Sequence, residues 1–130
     1  MYGICFNPVN FPFCGNVISH SLRGCCLISA TQLTASGTAE RTRLDQALAA
    51  FNTRTGGCVK WVARSNEANY VAITGRQEGC FAWVGLLNDG RQELNLQPGN
   101  PGCLNISPGT AEHEMLHALG TFHEHSRPDR

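Results

Sequence analysis

The chain has no long hydrophobic run: no stretch of its 130 residues approaches the roughly 18 apolar residues that a membrane-spanning helix requires. It also lacks an excess of charge of either sign, because ten lysines and arginines balance ten aspartates and glutamates. A balanced chain is not drawn electrostatically to nucleic acid or to an anionic membrane. We therefore expect neither of these partners and, at this length, one domain at most. The composition leaves the oligomeric state open.

The first residues lack the features of a secretory signal peptide. Met1–Cys5 carry no positive charge, and Pro8 and Pro12 interrupt any apolar core. If the protein is secreted, we expect its signal to be missing from this chain.

Paired C-x-x-C units are also lacking, although seven cysteines are heavy usage for this length. This usage favours disulfides and an extracellular, oxidising compartment over a zinc–thiolate site, which is the rival interpretation. Because the count is odd, we expect at least one cysteine without a partner in this chain.

What the chain does have is a cluster of histidines near its carboxyl end. Four of the five histidines fall between His113 and His125, in the pattern H-E-x-x-H-x-x-G-x-x-H. His113 and His117 are four residues apart, so on a helix both project from one face and can bind one metal ion. Gly120 allows a sharp exit from the helix, because glycine accepts positive φ at a helix end. That turn would bring His123 back toward the metal as a third ligand.

The pattern predicts a catalytic zinc site rather than a structural one. Three neutral imidazoles leave one position on zinc open to water, and zinc lowers the pKa of that water to about 7. Glu114, on the rim of the same helix face, would be the general base that takes the water's proton during attack on a peptide carbonyl. We therefore expect one zinc ion per chain. An amphipathic helix with chance histidines is the simpler alternative, and Gly120 and His123 argue against it.

Periodicity divides the chain into an irregular, cysteine-containing segment over residues 1–38 and a regular part over residues 39–130. A short strand around Val17–Ser19 is plausible in the first part. In the second, apolar residues at helical spacing predict a helix at about Ala39–Asn52. Alternation and β-branched residues predict strands at Val59–Ala63, Tyr70–Thr74, Phe81–Gly85 and Glu93–Leu96, with a turn at Asn88–Gly90.

The segment Gln97–Gly109 is rich in proline and glycine, so it is expected to be a loop. A second helix is expected to start at Ser107–Pro108 or at Thr110, with a serine or threonine cap and proline tolerated in the first position. This order of helix, strands and helix predicts an α+β fold with helices packed on a mixed sheet.

Residues beyond the third histidine narrow the interpretation. The segment His123–Arg130 resembles the H-E-x-x-R-x-D-R extension of the astacin family of metzincin zinc endopeptidases. Three upstream segments also resemble strands of that family, namely Phe13–Ile18, Gly57–Val62 and Glu78–Gly85. The resemblance covers roughly residues 13–130 and is strong from about Arg41 onward.

The resemblance implies the upper, amino-terminal half of a metzincin catalytic domain, with the carboxyl-terminal half missing. The implied fold is a mixed twisted β-sheet with a backing helix and a zinc-binding active-site helix. The cleft of such a domain lies beside an edge strand, here Cys80–Gly85, whose unpaired backbone could bind a substrate peptide as an added strand. The implied substrate-binding residues are Phe81, Ala82, Trp83 and Val84. From the residues alone, a plain core strand is an equally good interpretation.

The resemblance also implies a pattern of disulfides. It pairs Cys80 with Cys103, and it pairs Cys58 with a cysteine of the missing half, which would leave Cys58 without a partner here. The remaining cysteines are extra, and an amino-terminal pair of the kind found in hatching-enzyme-like members is one option for Cys5, Cys14, Cys25 and Cys26.

Glu124 and His125 follow the third histidine directly, and they are expected to have different roles. The resemblance implies that Glu124 forms an ion pair with the mature amino terminus, and a solvated surface glutamate is the alternative. His125 lies two residues past His123, so in an extended segment it would point the other way and be an exposed neighbour rather than a fourth ligand.

The leading hypothesis is a secreted, zinc-dependent metalloendopeptidase of astacin type that hydrolyses proteins or peptides. The family's Met-turn and the tyrosine that follows it are not found, because neither Met1 nor Met115 can supply them. We therefore expect this chain by itself to be poorly active or inactive. The alternative is a truncated, catalytically incompetent zinc-binding fragment acting at most as a binding module. Another H-E-x-x-H hydrolase, such as an aminopeptidase, usually takes a glutamate as third ligand, and His123 argues against it.

Overall fold

A computed structural model describes residues 26–31, 37–87 and 89–123 of the chain, with residue 26 described by its backbone. The described residues form the predicted α+β fold, with one mixed five-stranded sheet and three helices. The strands are β1 (Cys26–Thr31), β2 (Val59–Ala63), β3 (Tyr70–Thr74), β4 (Cys80–Ala82) and β5 (Arg91–Leu96). The helices are α1 (Thr38–Arg54), α2 (Cys103–Ile106) and α3 (Pro108–Ala118).

The sheet has the order β2-β1-β3-β5-β4. Its first four strands are parallel to their neighbours, whereas β4 runs antiparallel to β5, with Cys80 opposite Leu96 and Ala82 opposite Leu94. Strand β4 therefore lies at one edge, as expected of the segment that begins at Cys80. Its outer side carries backbone groups that no other strand of the described chain pairs.

The core lies between the sheet and the helices α1 and α3. Helix α1 buries Leu44, Ala47 and Phe51, and the Phe51 ring meets the buried Trp61 ring edge-on at 6.4 Å between centroids. Strand β3 is buried at all four positions from Val71 onward, as expected for a parallel strand covered on both faces. Each fully buried aliphatic or aromatic side chain contributes about 1.5–3 kcal/mol to folding.

Three sequence-based expectations need correction. The segment over residues 1–38 is not irregular throughout, because β1 lies in the middle of the sheet between β2 and β3. The loop over Gln97–Gly109 contains α2 and the first two residues of α3. The strand expected at Phe81–Gly85 begins one residue earlier and ends at Ala82.

Two further expectations fall outside what the structure describes. The strand around Val17–Ser19 lies entirely outside the described residues, and so does Asn88 of the predicted turn. Of that turn, Gly90 is described and has a φ of 79°, which glycine adopts without strain. Within the described part of the chain, no helix is both long and apolar enough to cross a bilayer.

Candidate metal centre

Helix α3 begins at the predicted cap. The side-chain oxygen of Ser107 accepts a hydrogen bond from the backbone N–H of Gly109 at 3.1 Å, and Pro108 occupies the first helical position. The serine satisfies an amide that the helix leaves unpaired, and the missing N–H of proline costs nothing there. Ala111 and Met115 are fully buried, so they fix the helix against the core and set the direction of its other faces.

Three histidine rings converge at the carboxyl end of α3. The Nε2 atom of His117 lies 2.9 Å from that of His113 and 2.9 Å from that of His123, and the third separation is 3.1 Å. The three nitrogens therefore form a nearly equilateral triangle. The ring of His117 is buried, and those of His113 and His123 are exposed. The structure thus brings together the three residues that the sequence predicts as ligands.

A glycine-dependent turn carries the chain back to this triangle. Gly120 has a φ of 98°, and its N–H donates to the carbonyl of His117 at 2.8 Å. The N–H of Thr121 donates to the carbonyl of Leu116 at 3.1 Å. These two bonds are those of a Schellman motif, which favours glycine at the left-handed position. The turn ends α3 and returns the third histidine to the helix face that carries the first two.

The tautomer of His117 suits metal binding. Its Nδ1 atom lies 2.8 Å from the carbonyl oxygen of Thr121. A carbonyl only accepts, so Nδ1 carries the proton and Nε2 presents its lone pair. Such a carbonyl partner behind a ligating histidine is the usual way in which the tautomer and ring orientation are fixed.

The triangle cannot satisfy itself by hydrogen bonding. Each neutral Nε2 either donates or accepts, and among three mutual contacts at least one must set two like groups against each other. A metal ion bound by all three lone pairs removes this conflict. Three neutral imidazoles are a donor set that suits zinc and leaves it an open position. The residues present therefore fit a zinc ion.

Glu114 lies beside the triangle but is not part of it. Glu114 is 5% exposed, and it lines the same cleft as the three histidines. It does not belong to the group of ligand atoms that lie within 4.8 Å of one another. Within the described part of the chain, no N–H or O–H donates to its carboxylate. Among the described residues the carboxylate is therefore uncommitted.

The histidines open onto a cleft of about 400 Å³. One wall is the edge strand β4 and the segment that follows it, and the other is α3 with the turn beyond it. Of the four residues expected to bind substrate, Phe81, Ala82 and Val84 line this cleft, and Trp83 does not. The remaining lining residues are Cys80, Phe122, Glu114 and the three histidines.

Two connections hold β4 near α3. The N–H of Gly85 donates to the carbonyl of His117 at 2.8 Å. Cys80, the first residue of β4, forms the predicted disulfide with Cys103, the first residue of α2, which leads into α3. The edge of the sheet and the metal-binding helix are thus joined by one hydrogen bond and one covalent bridge.

The expectation that Cys58 lacks a partner is wrong. Its sulfur takes part in a disulfide. The resemblance misled here because it assigned this cysteine a partner in the carboxyl-terminal half of the family's domain, whereas the chain has extra cysteines of its own. The predicted roles of Glu124 and His125 lie outside the described residues, as do Phe13–Ile18 and the side chains of the four extra cysteines.

One contributor to the site was not predicted from the sequence. Thr121 occupies an unspecified position of the histidine pattern, and it acts through its backbone carbonyl on His117. A backbone contact leaves no residue-type signal, so only the turn at Gly120 could have pointed to it.

The mixed sheet, the helix with two histidines and the third histidine behind a glycine turn define a domain of the metzincin type. The model of the astacin family of peptidases matches residues 30–130. The chain therefore belongs to the astacin family.

The relatives of the chain include one named as a choriolytic enzyme and one named as a zinc metalloproteinase. The chain is 39% identical over 87 residues to high choriolytic enzyme 2 of Oryzias latipes, covering 67% of this chain and 28% of that protein. It is 40% identical over 91 residues to zinc metalloproteinase nas-8 of Caenorhabditis elegans, covering 70% of this chain and 21% of that protein. The chain thus spans less than a third of the length of these relatives.

The fold is also similar to that of a solved structure. The structure of high choriolytic enzyme 1, a hatching enzyme zinc-protease from Oryzias latipes, matches with a TM-score of 0.73 and 31% sequence identity. The match covers 86% of this chain and 52% of the solved one.

Proposed function

We propose that the chain carries the metal-binding part of an extracellular zinc-dependent endopeptidase that hydrolyses proteins or peptides. The observation that carries this proposal is the triangle of imidazole nitrogens 2.9–3.1 Å apart, formed by His113, His117 and His123. When bound, one zinc ion would polarise a peptide carbonyl and lower the pKa of a water molecule. The disulfide and the cysteine content support an oxidising, extracellular location.

In this proposal Glu114 is the general base. It takes a proton from the attacking water and passes it to the amine that leaves when the peptide bond breaks. Its place in the cleft lining and the lack of a donor to its carboxylate among the described residues support this role. The neighbouring buried carboxylate differs, because Glu112 forms an ion pair with Arg54 and is thereby committed to joining α3 to α1.

The substrate would bind along β4. An extended peptide could pair with the free outer side of this short strand and so add a strand to the sheet. Phe81, Ala82 and Val84 line the cleft on this side, which supports contact with substrate there. Trp83 is 60% exposed and outside the cleft lining, so in this proposal its backbone rather than its ring faces the peptide.

The test is Glu114→Gln, made in a protein that also carries the carboxyl-terminal half of the family's domain, because the 130-residue chain by itself is expected to be poorly active. An amide cannot accept the proton, so turnover of an unfolded protein substrate should fall at least about 100-fold while one zinc ion per chain is retained. Glu78→Gln, the same change at an exposed glutamate outside the cleft lining, is the matched control and should keep both. Hydrolysis at the parent rate by the Glu114→Gln variant would remove Glu114 from the mechanism.

A zinc-binding module without catalysis is the second candidate. It is favoured by the openness of the site, since Phe122 is 69% exposed beside two exposed histidines. Water at an open site screens the charges that would stabilise the transition state. Zinc content and peptide hydrolysis should therefore be measured separately on the 130-residue chain. Stoichiometric zinc with no hydrolysis would select the module, and zinc with hydrolysis would select the enzyme.

A further inference from the structure

A buried amide on β5 holds the segment that continues the edge strand. Gln92 is 5% exposed, and its side chain makes three hydrogen bonds to backbone groups of residues 83–87. Its Nε2 donates to the carbonyl of Gly85 at 2.7 Å and, at 3.4 Å, to that of Trp83. Its Oε1 accepts from the N–H of Leu87 at 2.9 Å.

These bonds begin where the regular strand pairing ends. The last pair between β4 and β5 is Ala82 opposite Leu94. Beyond it Gly85 has a φ of 82°, so the chain bends and can no longer follow the ladder. The neighbouring strand no longer offers partners to the backbone groups of this segment, and the side chain of Gln92 takes their place.

The segment held by Gln92 also contacts the metal-binding helix. The carbonyl of Gly85 accepts from Gln92, and the N–H of the same residue donates to the carbonyl of His117 at 2.8 Å. Two hydrogen bonds thus run from the interior of the sheet, through one residue of the cleft wall, to a histidine of the metal centre.

We propose that Gln92 is a positioning residue for substrate: it fixes the segment 83–87 against α3, so that a peptide bound along the edge lies in reach of the metal centre. This rests on the proposed function in one respect, the binding of peptide along the edge of the sheet. Without the side-chain bonds, the segment would sample other conformations, and only a fraction of molecules would present the edge correctly.

An amide is the side chain that these contacts require. Two carbonyls and one N–H face the same buried group, so it must donate and accept at once. Asn95, three residues along β5, holds the segment before β4 in the same way. Its side chain donates to the carbonyls of Gln77 and Gly79, both at 2.8 Å, and accepts from the N–H of Arg76 at 3.1 Å. Strand β4 is therefore bracketed by one buried amide at each end.

The test compares four proteins: the parent chain, Gln92→Leu, Gln92→Glu and the control Gln46→Leu. Leucine has a similar volume and removes all three hydrogen bonds. Glutamate keeps the acceptor for the N–H of Leu87 but loses both donors, so this variant provides the test if the leucine variant fails to fold. Gln46 is exposed on α1, which makes it a matched site for the same change.

Two readouts that need no turnover and no zinc are measured. The first is amide hydrogen exchange at Leu87 and Gly85. The second is the dissociation constant of a blocked ten-residue peptide of alternating alanine and threonine, followed by Trp83 fluorescence. The chain has two tryptophans, and the other, Trp61, is buried in the core.

We expect peptide binding about tenfold weaker in Gln92→Leu, with faster exchange at Leu87, because a buried N–H loses its partner. In Gln92→Glu, exchange at Leu87 should stay slow while peptide binding still weakens. Gln46→Leu should match the parent in both. Unchanged peptide binding or unchanged exchange at Leu87 in Gln92→Leu would overturn the proposal, and so would a parent chain that does not bind the peptide.

Failure of the proposed function would look different. A chain that takes up no zinc, or that hydrolyses peptides without Glu114, contradicts the proposed mechanism. Neither result alters the exchange rates or the peptide affinity of the zinc-free protein, from which the role of Gln92 is judged.

Discussion

The two walls of the cleft treat their polar groups in opposite ways. The edge wall is β4 with the segment that follows it, and Gln92 and Asn95 of β5 are buried behind it. Both the donor and the acceptor of each amide have backbone partners. On the helix wall, three histidine nitrogens face one another in contacts that cannot all be satisfied, and the carboxylate of Glu114 has no donor within the described chain.

This difference separates the scaffold from the candidate metal centre. A buried group whose partners are all within the chain rigidifies the fold and has little left to offer a ligand. A carboxylate left without a donor inside a folded chain costs free energy, and a ligand can supply the missing contact. The edge wall thus holds a position, and the helix wall carries the groups that the proposed function assigns to the metal ion and the substrate.

Removing one ligand should break the helix wall alone. In His117→Ala we expect zinc affinity to fall roughly 1,000-fold, beyond the 10–100-fold typical of losing an outer-shell partner. Exchange of the Leu87 amide should stay slow, because Gln92 still holds it. Zinc titration measures the effect on the helix wall, and hydrogen exchange at Leu87 measures the effect on the edge wall of the same protein. His125→Ala is the matched control and should bind zinc like the parent, whereas equal losses in both variants would make His125 a ligand.

Removing the disulfide should loosen the edge wall. Cys80 and Cys103 are 23 residues apart in the chain, and the chain-entropy model gives about 3 kcal/mol of stability for a loop of this size. The free energy of unfolding of the double variant Cys80→Ala/Cys103→Ala should therefore be lower by about that amount, so that the variant unfolds at a lower urea concentration. Its three histidines should still bind zinc. An unchanged unfolding midpoint, or loss of zinc by the folded variant, would show that the bridge has a different role.

A third carboxylate sharpens the contrast with Glu114. Hydrogen bonds from the backbone N–H of Glu67 itself, and then from Ser29 and Ser65, lower the pKa of Glu67 from 4.5 to about 2. A lowered folded pKa stabilises the protein above pH 4.5, and this contribution is lost as the pH falls from 4.5 toward 2. The difference in thermal midpoint between the parent and Glu67→Gln should therefore shrink over that range. A difference that is constant with pH would contradict the assignment.

Much of the fold is predictable because its elements have strong local patterns. The strand Tyr70–Thr74 is found as predicted, and α1 extends the predicted Ala39–Asn52 by one residue at its start and two at its end. The strand β1 has no such pattern, because Ile28, Ser29 and Ala30 are all buried and a serine interrupts the apolar run. Its partners, β2 and β3, come later in the chain, so its place in the sheet depends on contacts that the segment itself does not encode.

The metal centre is more predictable than the edge wall. The histidine spacing depends on helix geometry and one glycine turn, and both can be read from the sequence. The bonds of Gln92 join residues that are brought together only when β4 and β5 pair and the chain bends at Gly85. No residue spacing announces such a contact, so the sequence predicts a strand through to Gly85, whereas β4 ends at Ala82.

The most direct test of the metal centre is X-ray absorption spectroscopy of the zinc-loaded chain. We expect one zinc ion bound by three imidazole nitrogens at about 2.0–2.1 Å, with the same nitrogen shell in Glu114→Gln. A shell containing sulfur at about 2.3 Å, or one with fewer than three imidazoles, would contradict the assignment of His113, His117 and His123 as the metal centre.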